Sequence, residues 1–437
     1  MSRIAIIGAG MAGLGASYYF ANQGIQVDVY DKGGDIPHRV QSKDLLHGLG
    51  GAGGFSDGKL NFTGVKLPLF GVPRDKAQDF MTQLYRNLFE PFNPSTAEEV
   101  EFNKEKNEAL EKLVHGTNIH YRPIRQKHIG SDNLPILMMN LQNYLENKRI
   151  SFYFGQEIED IIVKDDSCSG LVVDGEQREY DSVIVATGRK GQDLVVDIIR
   201  KQGVDFSFGK IDIGARVEVP ASVYENLIRT SYDPKLKIFV NGTDVRTFCT
   251  NPNGYVVAEQ DGDFISANGH ALKGQKSENT NFALLNATVF DKSVDTHAYG
   301  LNIAKRISEA SNGKILAQNL GDIRRKKPSA DFGFTPTYSD VYLGNVWDFY
   351  PEAIILNLLE ATDELGKLAP GVKDDLTLFY FPEIKLRAVK INLLPDLQSS
   401  VDNLYFAGDC SGLVGDIMHS SAMGWLVAQR IYQNMNF

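Results

Sequence analysis

The chain opens on four uninterrupted apolar residues, Ile4-Ala5-Ile6-Ile7, with no polar position to mark a solvent face. A strand covered on both sides within a parallel sheet carries a run of that kind. It meets Gly8-Ala9-Gly10-Met11-Ala12-Gly13, then a small-residue helical segment through Phe20, then Val27-Asp28-Val29-Tyr30 ending in Asp31. Buried strand, G-x-G-x-x-G turn, helix, second strand and acidic tip follow in the order of a dinucleotide-binding βαβ unit. Gly8 permits the tight turn, Gly10 lets backbone approach a pyrophosphate, and Gly13 lets helix and strand pack closely. Met11 and Ala12 open the helix, whose free N–H groups and positive dipole end suit phosphate. Asp31, followed by Lys32, can accept hydrogen bonds from ribose hydroxyls. Alone, this unit is as compatible with NAD as with FAD.

Further along, Gly48 to Lys59 (GLGGAGGFSDGK) matches G-x-G-x-x-G by letter, but no clear strand precedes it and no helical pattern follows. Its glycines predict a loop laid against something flat or charged rather than a second Rossmann turn. Gly51, Ser56, Asp57, Gly58 and Lys59 are its candidate contacts, Asp57 and Lys59 with a pyrophosphate or a ring nitrogen. The alternative is a flexible surface loop. Residues 74–114 space Phe80, Leu84 and Leu88 as helices do, and Asn93-Pro94-Ser95-Thr96 before Ala97-Glu98-Glu99 reads as a helix start. Short strands at Ile150 to Phe154, Glu157 to Val163 and Gly170 to Asp174 predict a small antiparallel meander.

Val183-Ile184-Val185 then runs into Ala186-Thr187-Gly188, small residues that suit a chain passing edge-on against a dinucleotide. Residues 207–384 alternate short apolar runs with Gly, Asn and Asp, which predicts a largely antiparallel sheet with helices around 291–312 and 351–366. Arg324-Arg325-Lys326-Lys327 reads as a solvated loop. Near the end, Leu404-Tyr405-Phe406-Ala407 leads to Gly408-Asp409, a turn holding Gly415-Asp416-Ile417, and an apolar-periodic helix over 420–433. An aspartate at a strand's carboxyl end is placed to grip a polyol, and the helix after it aims N–H groups at a polar ring edge.

Composition narrows the class. The 437 residues carry a formal charge of -10, which gives no electrostatic case for nucleic acid or an acidic membrane surface. No apolar run approaches the roughly 20 residues of a membrane span, and the N-terminal apolar run reads as a strand, not a signal peptide. Cys168, Cys249 and Cys410 are scattered, so neither a disulfide framework, a redox dithiol nor a zinc site is signalled, and no metal is expected. A cytoplasmic enzyme acting on a small molecule is expected.

The segments 4–31, 181–189 and 403–424 point at one ligand. An NAD site needs only the first; a terminal strand ending in Gly-Asp with a trailing helix suits FAD, whose ribityl chain and ring extend past the pyrophosphate. The arrangement resembles flavoproteins of the two-dinucleotide-binding-domain type. More narrowly, it is similar to the bacterial family labelled FAD-dependent or NAD(FAD)-utilizing dehydrogenases. The likeness lies in residues 50–60 (GGAGGFSDGKL), 213–220 (IGARVEVP), 246–257 (RTFCTNPNGYVV) and 268–271 (NGHA), with 278–285 beyond. It departs from the family at Cys249-Thr250-Asn251-Pro252-Asn253-Gly254, where Cys-x-Cys-Pro-Gly-Gly is common.

The resemblance implies an α/β fold with a Rossmann-like FAD domain split in sequence (1–206 and 385–437, with a helical insertion about 74–148). A substrate domain spans 207–384, and the substrate is expected between the two. No second Rossmann turn and no C-x-x-C are present, so flavin reduction would come from substrate or from NAD(P)H docking transiently. Candidate catalytic residues are Cys249, Asn251, His270 and His419. Cys249 and Asn251, with Arg246 and Tyr255, either face the flavin or build a tight turn around Pro252 and Gly254. His270 is either a general acid–base or a structural histidine. Hydride transfer by a reductase or dehydrogenase is favoured over a monooxygenase. An FAD-binding RNA-modification protein is a further alternative.

Overall fold

A computed structural model describes residues 3–56, 58–95, 98–99, 104–123, 125–130, 132–261, 264–271, 275–290, 294–385 and 389–435. The chain forms two compact units, one of residues 1–100, 124–208 and 388–437, the other of residues 101–123 and 209–387.

The first unit is built on a five-stranded parallel sheet in the spatial order Leu404–Phe406, Ser182–Val185, Ile4–Ile7, Val27–Asp31, Ile150–Phe154. Leu404–Phe406, Ser182–Val185 and Ile4–Ile7 are buried on both faces, which is why they read as apolar runs. Ile4, Ile6, Val27, Val29, Ile184 and Tyr405 join one apolar cluster with the helices Met11–Asn22, Asn133–Glu146 and Ile417–Asn434. Ala5, Ile7, Val183, Val185, Leu404 and Phe406 join the other, with helix Gln192–Gln202 and an antiparallel three-stranded sheet. Helices Met11–Asn22 and Ile417–Asn434 meet at backbone distance: a Cβ added to Gly424 would lie 1.9 Å from the Ala12 carbonyl oxygen.

Three expectations change here. Ile150–Phe154 does not open the meander. It pairs in parallel with Val27–Asp31, helix Asn133–Glu146 making the crossover that parallel neighbours need. The antiparallel strands are Ile158–Lys164, Ser167–Val173 and Glu176–Glu179. Glu98–Glu99 is not a helix start but pairs antiparallel with Gln126–His128, and Ser95 Oγ accepts from Asn133 Nδ2. Thr96 and Ala97 lie outside the described residues. The insertion about 74–148 is also divided. Ala77–Leu88 and Asn133–Glu146 stay in the first unit, whereas Lys104–Val114 and Ile119–Arg122 belong to the second, where the strand pairs with Lys235–Val240.

The second unit holds an eight-stranded sheet in the order Tyr342–Leu343, Leu316–Asn319, Leu378–Lys385, Ile211–Pro220, Asn279–Thr288, Thr243–Asn251, Lys235–Val240, Ile119–Arg122. All neighbours are antiparallel except Leu316–Asn319 with Tyr342–Leu343. Along Ile211–Pro220 the period of two separates the faces. Ile211, Ile213, Ala215, Val217 and Val219 enter the apolar core with helices Ala221–Thr230 and Glu352–Leu365, while Asp212, Arg216 and Glu218 take the opposite face.

Candidate functional site

In the first unit, strand order reverses between Ile4–Ile7 and Ser182–Val185. Open parallel sheets bind ligands in the crevice outside the strand carboxyl ends at such a switch point. Gly8 turns there with φ +110°, and a Cβ on it would lie 2.4 Å from the Ala186 carbonyl oxygen. A Cβ on Gly13 would lie 1.9 Å from the Gly8 carbonyl oxygen, so turn and helix touch through backbone alone. At Gly10 the nearest atoms to an added Cβ are 4.0 Å away, and no side chain caps the helix that Met11 and Ala12 begin. Uncapped N–H groups beside open space and a helix dipole suit a diphosphate.

Asp31 ties the turn to its surroundings. Its Oδ2 accepts from Ala9 N, and its Oδ1 accepts from Gly33 N and Gly48 N, each at 2.8 Å. Lys32 beside it is exposed. The Gly48 to Phe55 segment is not a free loop: Gly50 N donates to the Ala9 carbonyl at 2.8 Å, and residues Gly51–Phe55 wind into a 3₁₀ turn. A Cβ on Gly51 would lie 3.2 Å from Gly10 Cα.

The group that holds this loop is Arg39, on which the sequence reading was silent. It is fully buried; Nε donates to Asp44 O and Nη2 to Gly51 O at 3.0 Å each, and Nη1 donates to Leu49 O. The guanidinium also lies 4.2 Å from the Phe55 ring centroid. Burial lowers its pKa to about 10, against the opposing pull of Asp44 and Asp31. A single arginine on the short helix Ile36–Ser42 carries no motif, so only its contacts reveal it.

Ser56 Oγ donates to Gly53 O at 2.9 Å, and Gly58 packs on Gly130. Lys59 starts a strand paired with Gln126–His128, and Asp57 lies outside the described residues. Thr187 and Gly188 follow Ala186 at the end of the neighbouring strand, and Gly188 opens on free space.

At the third strand end, Gly408 (φ +81°) approaches Ala12, an added Cβ lying 2.7 Å from its Cβ. Asp409 pairs with Arg189, whose Nη2 and Nε lie 2.9 and 3.1 Å from the same Oδ2. Gly415 lies close to Asp409 Oδ1, and Ile417 reaches Gly53. Asp416 is the N-cap of Ile417–Asn434: its Oδ1 accepts from His419 N at 2.9 Å and its Oδ2 lies 2.7 Å from His419 Nδ1. Cys410 is a packing residue, its thiol donating to Val185 O and Ala407 O and its pKa pushed up to about 12 by burial.

The remaining candidates lie in the second unit. Cys249 takes a left-handed backbone (φ +47°) at a strand irregularity, and its carbonyl accepts from Asn251 Nδ2 at 3.0 Å and Arg216 Nη1 at 2.8 Å. Asn251 Nδ2 also reaches Asn281 Oδ1. Arg216, wholly buried, contacts Glu383 at 2.8 Å, and Lys385 shares that carboxylate. His270 touches this network at one remove, because its partner Glu259 hydrogen-bonds Asn268, which accepts from Arg216 Nη2. It is exposed on the hairpin Tyr255–Asp261/Phe264–His270, with Nε2 3.5 Å from Glu259 Oε1. That contact holds the Glu259 pKa down at about 2.

Residues 6–60 match the family model of the NAD(P)-binding Rossmann-like domain. The match spans the glycine turn and the glycine loop that Arg39 folds onto it. A protein of Clostridium beijerinckii described as uncharacterized is 23% identical over 483 residues, covering 100% of this chain and 81% of its own length. Among solved structures, glycine oxidase from Geobacillus kaustophilus is similar at 14% identity, with 100% of this chain and 96% of that one covered and a TM-score of 0.41. Glycerol-3-phosphate dehydrogenase from Bacillus halodurans, complexed with FAD, is similar at 12% identity, covering 100% and 65%, with a TM-score of 0.40. L-Proline dehydrogenase from P. horikoshii is similar at 12% identity, covering 100% and 94%, with a TM-score of 0.38. No helix among the described residues is long and apolar enough to cross a membrane.

Proposed function

We propose that the protein is an FAD-dependent oxidoreductase that transfers hydride between flavin N5 and a small or medium-sized organic substrate. The observation that carries this reading is that three adjacent parallel strands, Ile4–Ile7, Ser182–Val185 and Leu404–Phe406, each end in a glycine-bearing turn at the same sheet edge. A nicotinamide dinucleotide calls on the first; the third, with Asp409, suits a longer cofactor. In this reading Gly8 to Gly13 and the Arg39-braced loop bind the diphosphate, Asp31 the adenosine ribose, and Asp409 the ribityl hydroxyls. Bound flavin would supply the two-electron chemistry, while these residues orient it and exclude water. A reductase or dehydrogenase drawing on NAD(P)H or substrate is favoured over a monooxygenase, and a cytoplasmic location fits both. The acidic charge of -10 weighs against an RNA-modifying role.

The test is an absorbance spectrum of the purified protein, reconstitution with FAD, and anaerobic titration with NADH and NADPH. Flavin bands that bleach with one nucleotide support the reading and name the donor. A colourless protein that takes up no FAD ends it.

A further inference from the structure

A groove of about 810 Å³ lies at the amino ends of the three strands whose carboxyl ends carry the glycine turns. Arg3 precedes Ile4–Ile7, Asn403 precedes Leu404–Phe406, and Ser182 begins Ser182–Val185; all three residues line it. Every lining residue belongs to the first unit. Strands of three or four residues, at about 3.3 Å per residue, separate the groove from the Gly8 edge by about 10–13 Å. It is a second site, distinct from the dinucleotide crevice.

Its lining is acidic. Glu179, Asp181 and Asp402 are exposed there, and the single cation, Arg3, has its guanidinium 5.1 Å from the Tyr180 ring centroid. Asp181 Oδ2 accepts from Arg3 N at 2.8 Å, whereas Glu179 and Asp402 have no ion-pair partner among the described residues. Ile431, Asn434 and Met435 bring the carboxyl end of helix Ile417–Asn434 to the groove, and no basic residue in that last turn offsets the negative end of its dipole.

A separate observation comes from a hydroxyl. Ser182 is 7% exposed, and its Oγ makes no hydrogen bond among the described residues. Strand alternation puts Ser182 on the face of Ile184, which shares one apolar cluster with Tyr405 and Ile431. The hydroxyl therefore faces the helix end of the groove, where it can accept from a ligand. Negative lining and a waiting acceptor call for a cationic donor. No group of His, Cys, Asp or Glu among the described residues is arranged to hold a metal ion, so the carboxylates do not converge on one point charge. They suit charges spread along a flexible chain whose methylenes Ile431 and Met435 can cover.

We propose that this groove binds a linear polyamine, its ammonium groups pairing with Glu179 and Asp402 and donating to Ser182 Oγ. The proposal is independent of the FAD reading. Calorimetric titration of the purified full chain with spermidine at about 0.15 M ionic strength, where loose surface association is screened, should show saturable binding at one site. Glu179→Gln combined with Asp402→Asn changes only exposed side chains and should weaken binding about fivefold or more. Ser182→Ala should weaken it about threefold or more. Mg²⁺ at equal ionic strength should not displace spermidine. A wild type without saturable binding, or a double variant that binds as tightly as the wild type, overturns the proposal. Displacement by Mg²⁺ overturns it as well, because the groove would then hold a point charge.

Discussion

The glycine turn of the first unit and the charged sheet face of the second are both dense in polar groups, but they treat those groups in opposite ways. Around Gly8 to Gly13 the chemistry is in the backbone: N–H groups at Gly10 to Gly13 sit on an uncapped helix end, and side chains have been removed to expose them. The side chains that remain, Asp31 and Arg39, bond backbone groups and fix the geometry, with Asp31 Oδ2 accepting from Ala9 N and Oδ1 from Gly33 N and Gly48 N. Around Arg216 the chemistry is in side chains that pair with one another: Arg216 and Lys385 share the buried carboxylate of Glu383, with Asn251, Asn268 and Asn281 on the flanks, while Arg216 Nε, Glu383 Oε2 and Asn281 Nδ2 have no hydrogen-bond partner among the described residues. A site left open by glycines is ready for a ligand that brings its own charge. A face of paired charges already carries its own counter-charges.

That contrast can be broken at its stiffest point first. Arg216→Met leaves Glu383 buried beside Lys385 alone, and unfolding in urea should show a loss of about 3–5 kcal/mol. Arg216→Met combined with Glu383→Gln should recover part of it; a double variant as weak as the single one would mean that packing, not charge, holds this face. Gly13→Ala places a methyl group 1.9 Å from the Gly8 carbonyl oxygen, so a loss of about 1–3 kcal/mol is expected from forced backbone movement. FAD uptake should fall with it, whereas Arg216→Met should leave FAD uptake in the folded fraction largely intact.

Arg39→Met separates loop geometry from loop composition. Three carbonyls lose their donor, and a cost of about 2 kcal/mol is expected, together with protease cleavage inside residues 44–56. An unchanged cleavage pattern would show that the glycine loop keeps its shape without the arginine.

The smallest effect expected is at Glu259. Its pKa, about 2 against an ordinary 4.5, is depressed chiefly by the hydrogen bond from His270. A carboxyl with a depressed folded-state pKa adds stability above its unfolded value, and that stability is lost as pH falls from about 4.5 toward 2. Both side chains are about half exposed, so solvent screening holds the contribution below about 1 kcal/mol. Glu259→Gln should flatten that part of the stability profile; a wild type and variant with parallel profiles would remove the pair from the account.

The sequence by itself determined the local units. The run Ile4 to Ile7, the spacing of Gly8, Gly10 and Gly13, and Asp31 specify strand, turn and helix because each depends on residues within thirty of one another. The short apolar and alternating runs within 207–384 likewise specified a largely antiparallel sheet. Only the tertiary structure decided the partners. Ile150–Phe154 and Ile119–Arg122 are short strands whose pairing depends on which sheet edge is vacant, which no local pattern encodes. Neither Arg39 nor Arg189 carries a local signal of its role, which depends on loop carbonyls in one case and on Asp409, 220 residues away, in the other. His419 was legible as a candidate from its place in the chain. That its Nδ1 is engaged and its Nε2 buried without a partner follows from Asp416 and the packing around the helix, because burial is a property of the assembled fold.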